Sequence, residues 1–485
     1  MPYREIFMNV FMLKPGDRDW ISYPAQFAAL SAFLKKNGHN IGFFDAALGM
    51  LTPSQAMEKT NLTGWDVLAI SVYTGGQTWT RDFISLVRTK YSGIKIVVGG
   101  PHISSLEIPS VEHLDADIGV VGEGELPLAE LLVRLEENRP FDDIPGLIWK
   151  DGGGFKNTLM LPRWRIKDLD SLPMPDYEFI PPDRYFDSFR GASVARKKER
   201  CAVIFSSRGC PYTCTFCATN CTWMRQIFAF SADRVIAEIV LLKEKYGIEE
   251  IWFIDDTFTF SRSRTVEICR QMIEKKLNIF WRLPNGIRIE SIDDELMLMM
   301  RRAGCYMTGV GIETGSESAM KRIKKRLDIK IIREKIAILR RNRILVSGFF
   351  IYGFPWETLE QIQETENLII DVPFDRMQIS IFNPYPGSEE FDNIMNKKNP
   401  EIYAQNIRKY LFEGEIAPFL ENIDLETLYK RSRNTYLKFY FKPRVLWSIL
   451  TGLTWQQIKD IFRHPMFQNL FKKKHDFEDT YVKLK

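Results

Sequence analysis

The segment Arg208-Gly209-Cys210-Pro211-Tyr212-Thr213-Cys214-Thr215-Phe216-Cys217 sets three cysteines at Cys-x3-Cys-x2-Cys spacing. Three thiolates from one short loop can hold three corners of a cubane iron–sulfur cluster and leave the fourth iron without a protein ligand. An open iron can chelate a second molecule, which a fully ligated electron-transfer cluster cannot do. The alternative is a zinc site completed by Cys221 or Cys201, although closed zinc sites favour paired Cys-x2-Cys or histidine spacings. The chain has seven cysteines, Cys201, Cys210, Cys214, Cys217, Cys221, Cys269 and Cys305, and five of them fall within 21 positions. An odd, crowded set in a reducing compartment points to metal ligation rather than disulfides. Cys201, Cys221, Cys269 and Cys305 read as structural, with Cys305 close enough to a strand end to face the same mouth.

The elements around this loop predict an α/β chain. Residues 1–137 alternate short apolar runs with helical patterns. EIFMNVFML, HNIGFFD, VLAISVY, IKIVVGG and DIGVVGEGE read as strands, and Pro24 to Lys36 as a helix with Phe27, Leu30, Phe33 and Leu34 on one side. Doubly buried strands alternating with helices are the pattern of a parallel, doubly wound, Rossmann-like domain, whose ligands sit at the carboxyl edge. Residues 138–200 are rich in proline and carry Gly152-Gly153-Gly154, the composition of a linker or small hairpin. From Cys201 to about residue 395, six βα units follow, with strands at CAVIFSS, IEEIWFID, IFWRL, YMTGVGIE, ILVSGFFIYG and RMQISIF. That predicts an incomplete (βα)6 barrel of TIM type. Residues 396–485 have no strand rhythm and read as a helical, aromatic and basic carboxyl-terminal domain.

The cysteine spacing directly after a first strand, in a chain of six βα units, resembles the radical S-adenosylmethionine (SAM) superfamily. The resemblance implies a [4Fe–4S] cluster on Cys210, Cys214 and Cys217. SAM would be bound to its open iron and cleaved to a 5′-deoxyadenosyl radical that abstracts a hydrogen atom. Phe216 matches the family position near the adenine. FIDDTF puts Asp255 and Asp256 at the end of strand two, where the family binds the SAM amino group, often with Gly-Gly-Glu; the correspondence is therefore one of location. GVGIETGSE puts Glu313 at the end of strand four, an acceptor for ribose hydroxyls or the SAM ammonium. GFFIYGFPWET matches the adenine-contacting turn through Ile351 and Gly353, and Asn285 and Arg288 follow strand three.

The amino-terminal domain looks like that of the cobalamin-binding subclass, through YPAQFAALSAFLKKNGHNIGFFDA, ISVYT, VVGGPH and VVGEGE. The resemblance spans roughly residues 5 to 395. It implies Ser71 and Thr74 as hydrogen-bonding partners of the nucleotide tail. Gly99 and Gly100 would pass beneath it, and Gly122 and Glu123 lie in the loop after the last strand. Flat, bulky corrin needs close backbone approach, which glycine permits. One departure is plain. Cobalamin domains of the usual type carry Asp-x-His-x-x-Gly after the first strand, whereas this place reads LKPGDRDW, and none of the five histidines (39, 102, 113, 464, 475) sits in such a pattern. A bound cobalt would lack a histidine ligand. His39 reads as a helix-to-strand turn residue and His102 as a loop residue.

Together these features predict a cobalamin-dependent radical SAM methyltransferase acting on an unactivated carbon of a small or lipid-like metabolite. Such an enzyme takes its electron from a donor such as flavodoxin or ferredoxin. Oxidative cyclisation or ring rearrangement of a tetrapyrrole- or lipid-like substrate, as in anaerobic porphyrin cyclase and hopanoid-type relatives, is the second reading. A non-enzymatic iron–sulfur sensor is the alternative of another class, and it needs none of the barrel-mouth motifs. RNA modification of the methylthiotransferase kind needs three further cysteines before the barrel, and no cysteine precedes Cys201. With 66 basic and 62 acidic residues, the chain offers no general nucleic-acid surface. No apolar run approaches a membrane span and the start lacks a signal-peptide pattern, so the expected compartment is the cytoplasm. The segment Tyr436 to Leu453, with Lys472 to Lys474, is expected to cap the barrel or to rest on a membrane surface.

Overall fold

A computed structural model describes residues 8–16, 23–188, 196–397 and 419–452. They fall into two compact units. One comprises Met1–Ser188 with Cys217–Ala229 and Tyr385–Asp392; the other comprises Phe189–Phe216, Phe230–Pro384 and Asn393–Lys485.

In the first unit the apolar runs form strands β1 (Asn9–Lys14), β2 (Asn40–Asp45), β3 (Val67–Ser71), β4 (Lys95–Gly99) and β5 (Ile118–Val120), all parallel and ordered β2-β1-β3-β4-β5. Helices α1 (Ala25–Lys36), α2 (Pro53–Lys59), α3 (Gln77–Lys90), α4 (Pro101–Leu106), α5 (Ile108–His113) and α6 (Glu125–Glu136) connect them. Leu68, Ile70, Ile96 and Val98 pack with Phe83, Ile84 and Val87 of α3 in one buried cluster, which is why these strands read as continuous apolar runs. Thr52 and Gln55 cap α2 reciprocally. The proline-rich stretch contributes more than a connection. Leu147–Asp151 (β6) pairs antiparallel with β5, and Gly154–Asn157 (β7) closes a hairpin on it, so this hairpin extends the same sheet. His39 stands between α1 and β2 as expected, but His102 lies inside α4 rather than in a loop.

The second unit holds an open parallel sheet whose strands follow in chain order: β8 (Cys201–Ile204), β9 (Glu250–Phe253), β10 (Phe280–Ile287), β11 (Cys305–Glu313), β12 (Leu345–Tyr352) and β13 (Arg376–Ile381). Helices α7 (Ala232–Tyr246), α8 (Arg262–Glu274), α9 (Asp294–Arg302), α10 (Glu317–Arg322), α11 (Ile332–Arg341) and α12 (Leu359–Asp371) lie between them. Ser231 caps the start of α7 and Gly247 its end; Asp293 caps α9 and Thr358 with Gln361 caps α12. Sequential parallel strands bring the loops after all six carboxyl ends to one edge, as in an incomplete (βα)6 barrel.

Helix α13 (Leu425–Tyr440) closes the exposed edge of this sheet. The Tyr436 hydroxyl accepts from the Ile379 N–H at 2.9 Å, and the Tyr440 hydroxyl donates to the Met377 carbonyl at 3.1 Å. The edge strand β13 is thereby kept from pairing elsewhere. Among the described residues no helix is long and apolar enough to cross a membrane. Lys472 to Lys474, His464 and His475 lie outside the described residues, as does most of the loop after β1.

Candidate active site

The three cysteines occupy an irregular loop after β8, each of them half-buried. Contacts other than the thiols hold this loop. The Thr215 N–H donates to the Ile323 carbonyl at 3.0 Å, the Tyr212 ring stacks under the Arg288 guanidinium at 4.1 Å, and Phe216 meets Phe354 at 6.0 Å between ring centroids. Cys217 donates to Thr219 Oγ1 at 3.1 Å. The thiols are not gathered into a ready three-ligand group among the described residues; a metal site completes itself when the ion draws its ligands together. The donor set fits an iron–sulfur cluster: three half-buried thiols on one loop with a cation nearby.

That cation is Lys325, which lies close enough to Cys214 for their charges to interact. It was not foreseen from the sequence. Its ammonium is 2.9 Å from Glu313 Oε1, both side chains being about one-tenth exposed. Burial opposes the lysine's charge, but Glu313 and Cys214 outweigh it and raise its pKa. Glu313 ends β11 with φ at +70°, beside a shift in the β11–β12 register. Such a bulge re-aims a side chain at a site. Arg288 donates to the Lys325 carbonyl at 2.8 Å and to Glu290 at 2.5 Å. Two residues expected at the mouth, Glu313 and Arg288, thus meet through a third that the sequence did not flag.

The acidic pair after β9 divides its labour. Asp255 is buried and accepts from the Ser206 N–H (2.6 Å), the Ser207 N–H (3.2 Å) and the Ser206 hydroxyl. Its carboxylate pins the strand-to-loop turn ahead of Cys210, a positioning task rather than a free ligand. Asp256 is the available acid. Its residue is exposed as a whole, yet its carboxyl is crowded, and desolvation with the neighbouring Asp255 pushes its pKa up to about 6. Asn285 donates to the Ile254 carbonyl at 2.8 Å and ties two of these loops together.

At the end of β12, Gly353 has φ at +84°, a conformation favouring glycine, and a Cβ there would sit 2.7 Å from Leu428. Ile351 is partly exposed in the same strand. Beneath the turn, Glu357 is 1% exposed and its Oε2 accepts from the Gly353 N–H at 2.7 Å. Burial pushes this carboxyl up to about 7, the backbone donors only partly opposing it. Because the folded pKa lies above the ordinary 4.5, the stability linked to this group is whole below about pH 4.5 and lost as pH rises through 7. Wild-type protein is expected to lose about 3 kcal/mol relative to Glu357→Gln across that window. Denaturant titrations of both proteins at several pH values measure it, and parallel curves would refute it.

In the first unit, the expected cobalamin contacts also lie at one edge. Gly100 has φ at +95°, and a Cβ there would stand 2.8 Å from Ser71 Oγ and 3.0 Å from the Val72 backbone. Gly100→Ala is expected to cost about 1–3 kcal/mol in chemical denaturation; no loss would show the loop to be adaptable. A Cβ on Gly99 would meet nothing closer than 3.5 Å. Thr74 Oγ1 is 3.3 Å from His102 Nδ1. Burial and His113 push the His102 pKa down to about 4, so this ring stays neutral. The Gly122 N–H donates to Ser104 Oγ at 3.0 Å. Glu123 is buried and committed to Arg165 at 3.2 Å. In place of the absent histidine motif, β1 ends on Lys14. It is buried and 3.2 Å from Asp45, which also accepts from the Tyr185 hydroxyl at 3.0 Å. Lys14 and Tyr185 were also missed, since they meet through Asp45, which joins β1 and β2 to a turn 140 positions further along the chain.

Cys221 is satisfied locally, donating to the Ala218 carbonyl at 2.8 Å and accepting from Ser105 Oγ at 3.1 Å. Burial pushes the Cys269 thiol up to about 12 and the Cys201 and Cys305 thiols higher still, so these three are poor thiolate donors.

Comparison with known proteins agrees with this geometry. The radical SAM superfamily model matches residues 204–369, and the B12 binding domain model matches residues 20–132. The chain joins a B12-binding domain to a radical SAM domain. It is 28% identical over 445 residues to the uncharacterized methyltransferase PH0819 of Pyrococcus horikoshii, covering 92% of this chain and 91% of the relative. It is 24% identical to the cytidylyl-2-hydroxyethylphosphonate methyltransferase of Streptomyces wedmorensis, covering 92% and 94%. It is also 25% identical to the anaerobic magnesium-protoporphyrin IX monomethyl ester cyclase of Rubrivivax gelatinosus, covering 87% and 74%. Among solved structures, the radical SAM methyltransferase TsrM of Kitasatospora setae shares the fold with a TM-score of 0.68 at 17% identity, covering 80% of this chain and 76% of that one. A [4Fe–4S] cluster, SAM and cobalamin are the cofactors of these two domains.

Proposed function

We propose that this enzyme transfers a methyl group to an unactivated carbon of a small molecule. The observation that carries this reading is the pairing of a radical SAM domain with a B12-binding domain in one chain whose near-full-length relatives are named methyltransferases. When bound, the cluster supplies the electron that cleaves SAM, and cobalamin supplies a methyl carrier. The chain's own residues bind, orient and exclude water. Cys210, Cys214 and Cys217 would hold the cluster. Lys325 would neutralise the SAM carboxylate, Asp256 and Glu313 would face its ammonium or ribose, and the Gly353 turn with Phe216 and Ile351 would take the adenine. Ser71, Thr74, Gly99, Gly100 and Gly122 would line the cobalamin edge, with Glu123 and Arg165 bracing its last loop.

The test is anaerobic reconstitution followed by incubation with SAM carrying a labelled methyl group, a strong reductant and hydroxocobalamin. Retained cobalamin that acquires the label, together with 5′-deoxyadenosine, is the expected result. Deoxyadenosine without retained cobalamin would favour oxidative cyclisation, the second reading, which the likeness to the cyclase of Rubrivivax gelatinosus supports. A lipid-like substrate would draw on the exposed Phe441 and Trp447 beside α13 as membrane-facing groups. Liposome flotation at low salt tests that point, and absence of binding removes it.

A further inference from the structure

Six of the ten residues from Lys321 to Lys330 are basic and only Asp328 is acidic, in a chain whose net charge is +4. Lys321, Arg322, Lys324 and Arg326 are all exposed. This run begins at the end of α10 and abuts the cysteine loop, since the Ile323 carbonyl between the basic residues accepts the Thr215 N–H at 3.0 Å. Its backbone is unusual as well. Lys324 and Arg326 take φ of +53° and +55°, a region lysine and arginine rarely enter, whereas Lys325 between them does not. Lys325 turns inward to Glu313 at 2.9 Å while its two neighbours remain exposed. The strained turn thus divides one basic run into an inner cation paired with Glu313 and an outer exposed positive surface that adjoins the cysteine loop.

We infer that this outer surface, Lys321, Arg322, Lys324 and Arg326, is the docking site of a small acidic one-electron carrier protein that reduces the cluster. The inference rests on the reading that Cys210, Cys214 and Cys217 hold a [4Fe–4S] cluster. Neither SAM nor cobalamin brings the electron that SAM cleavage consumes, so it must enter from outside, and electron transfer falls steeply with distance. A concentrated patch of one sign steers an oppositely charged partner and fixes its orientation. In the transfer, the reduced carrier loses one electron and the [4Fe–4S]2+ cluster gains it to become [4Fe–4S]1+; no bond is made or broken and no proton moves. Arg322 is braced over Trp356 at 4.3 Å, so the charges chosen for altering are the other three.

The experiment compares reconstituted wild-type enzyme with the triple variant Lys321→Glu, Lys324→Asn, Arg326→Asn. Asparagine removes charge and still tolerates left-handed backbone. Bleaching of the cluster is followed in stopped flow, with a reduced acidic ferredoxin as donor in one arm and reduced methyl viologen, a small cation, in the other. Ferredoxin-driven reduction of the wild type is expected to slow with added salt. In the variant it should be about tenfold slower or more at low salt and nearly salt-independent, while viologen-driven reduction is not slowed. Binding of ferredoxin, measured by light-scattering-free calorimetry on the same samples, should weaken in parallel. An unchanged ferredoxin rate and affinity in the variant would overturn the docking site. A wild-type protein that neither reductant bleaches would remove the cluster reading itself, and with it this inference.

Discussion

Cys214→Ala is expected to yield a folded protein that retains no iron after desalting and makes 5′-deoxyadenosine only at background. The fold should survive because Cys214 is half-buried and its loop is held by other contacts: Thr215 to the Ile323 carbonyl, Tyr212 under Arg288, and Phe216 against Phe354. A substitution of this kind costs apo protein no more than about 0.5–1 kcal/mol. Function should not survive, because two thiolates cannot hold three corners of a cubane. Loss of an outer-shell partner alone typically lowers metal affinity by about 10–100-fold, and loss of a ligand exceeds that. Cys305→Ala is the informative contrast. Cys305 is fully buried and its thiol is pushed far above the ordinary range, so its loss should cost about 0.5–3 kcal/mol of stability yet leave the iron in place. Iron analysis and denaturation of both variants decide the matter. Full iron in Cys214→Ala, or none in Cys305→Ala, would move the metal site.

Much of this arrangement was legible because parallel sheets impose simple rules. Doubly buried strands appear as apolar runs, and parallel strands in chain order must send all their carboxyl-end loops to one edge. Once CAVIFSS and YMTGVGIE were read as strands, Cys210 and Glu313 had to share that edge. The contacts that complete the site follow no local rule. Lys325 sits in a basic run that looks like a solvated face, and only the left-handed backbone at Lys324 and Arg326 turns it inward. Asp255 and Asp256 are neighbours with one residue type, but burial beneath Ser206 gives the first a backbone to hold and leaves the second at the surface. The hairpin at Leu147–Asn157 was visible as a glycine-centred turn, while its addition to the edge of β5 depends on a partner far along the chain. Glu123 looks like a ligand residue in VVGEGE until Arg165, 42 positions away, claims it.

Lys325→Met is expected to weaken SAM binding by about 10–100-fold, about 1.4–2.7 kcal/mol, and to lower stability by a larger amount. The two effects have separate causes, and a second substitution divides them. Methionine keeps most of the stem volume but leaves Glu313 buried without its cation, at a cost of about 3–5 kcal/mol. The pair lies over Gly311, where a Cβ would stand 2.5 Å from Glu313 Oε1 and 2.9 Å from Lys325 Nζ. Glu313→Gln with Lys325→Met removes both charges, and because buried ion pairs return little net stability this double variant should recover most of the loss. SAM binding should stay weak in it, because the cation beside Cys214 is still missing. Equilibrium dialysis of SAM with reconstituted enzyme, set beside denaturant curves, reads both quantities. Stability and SAM affinity recovering together in the double variant would make the pair a structural brace. Stability recovering alone, with SAM affinity kept in the single variant Glu313→Gln, would place Lys325 against the SAM carboxylate.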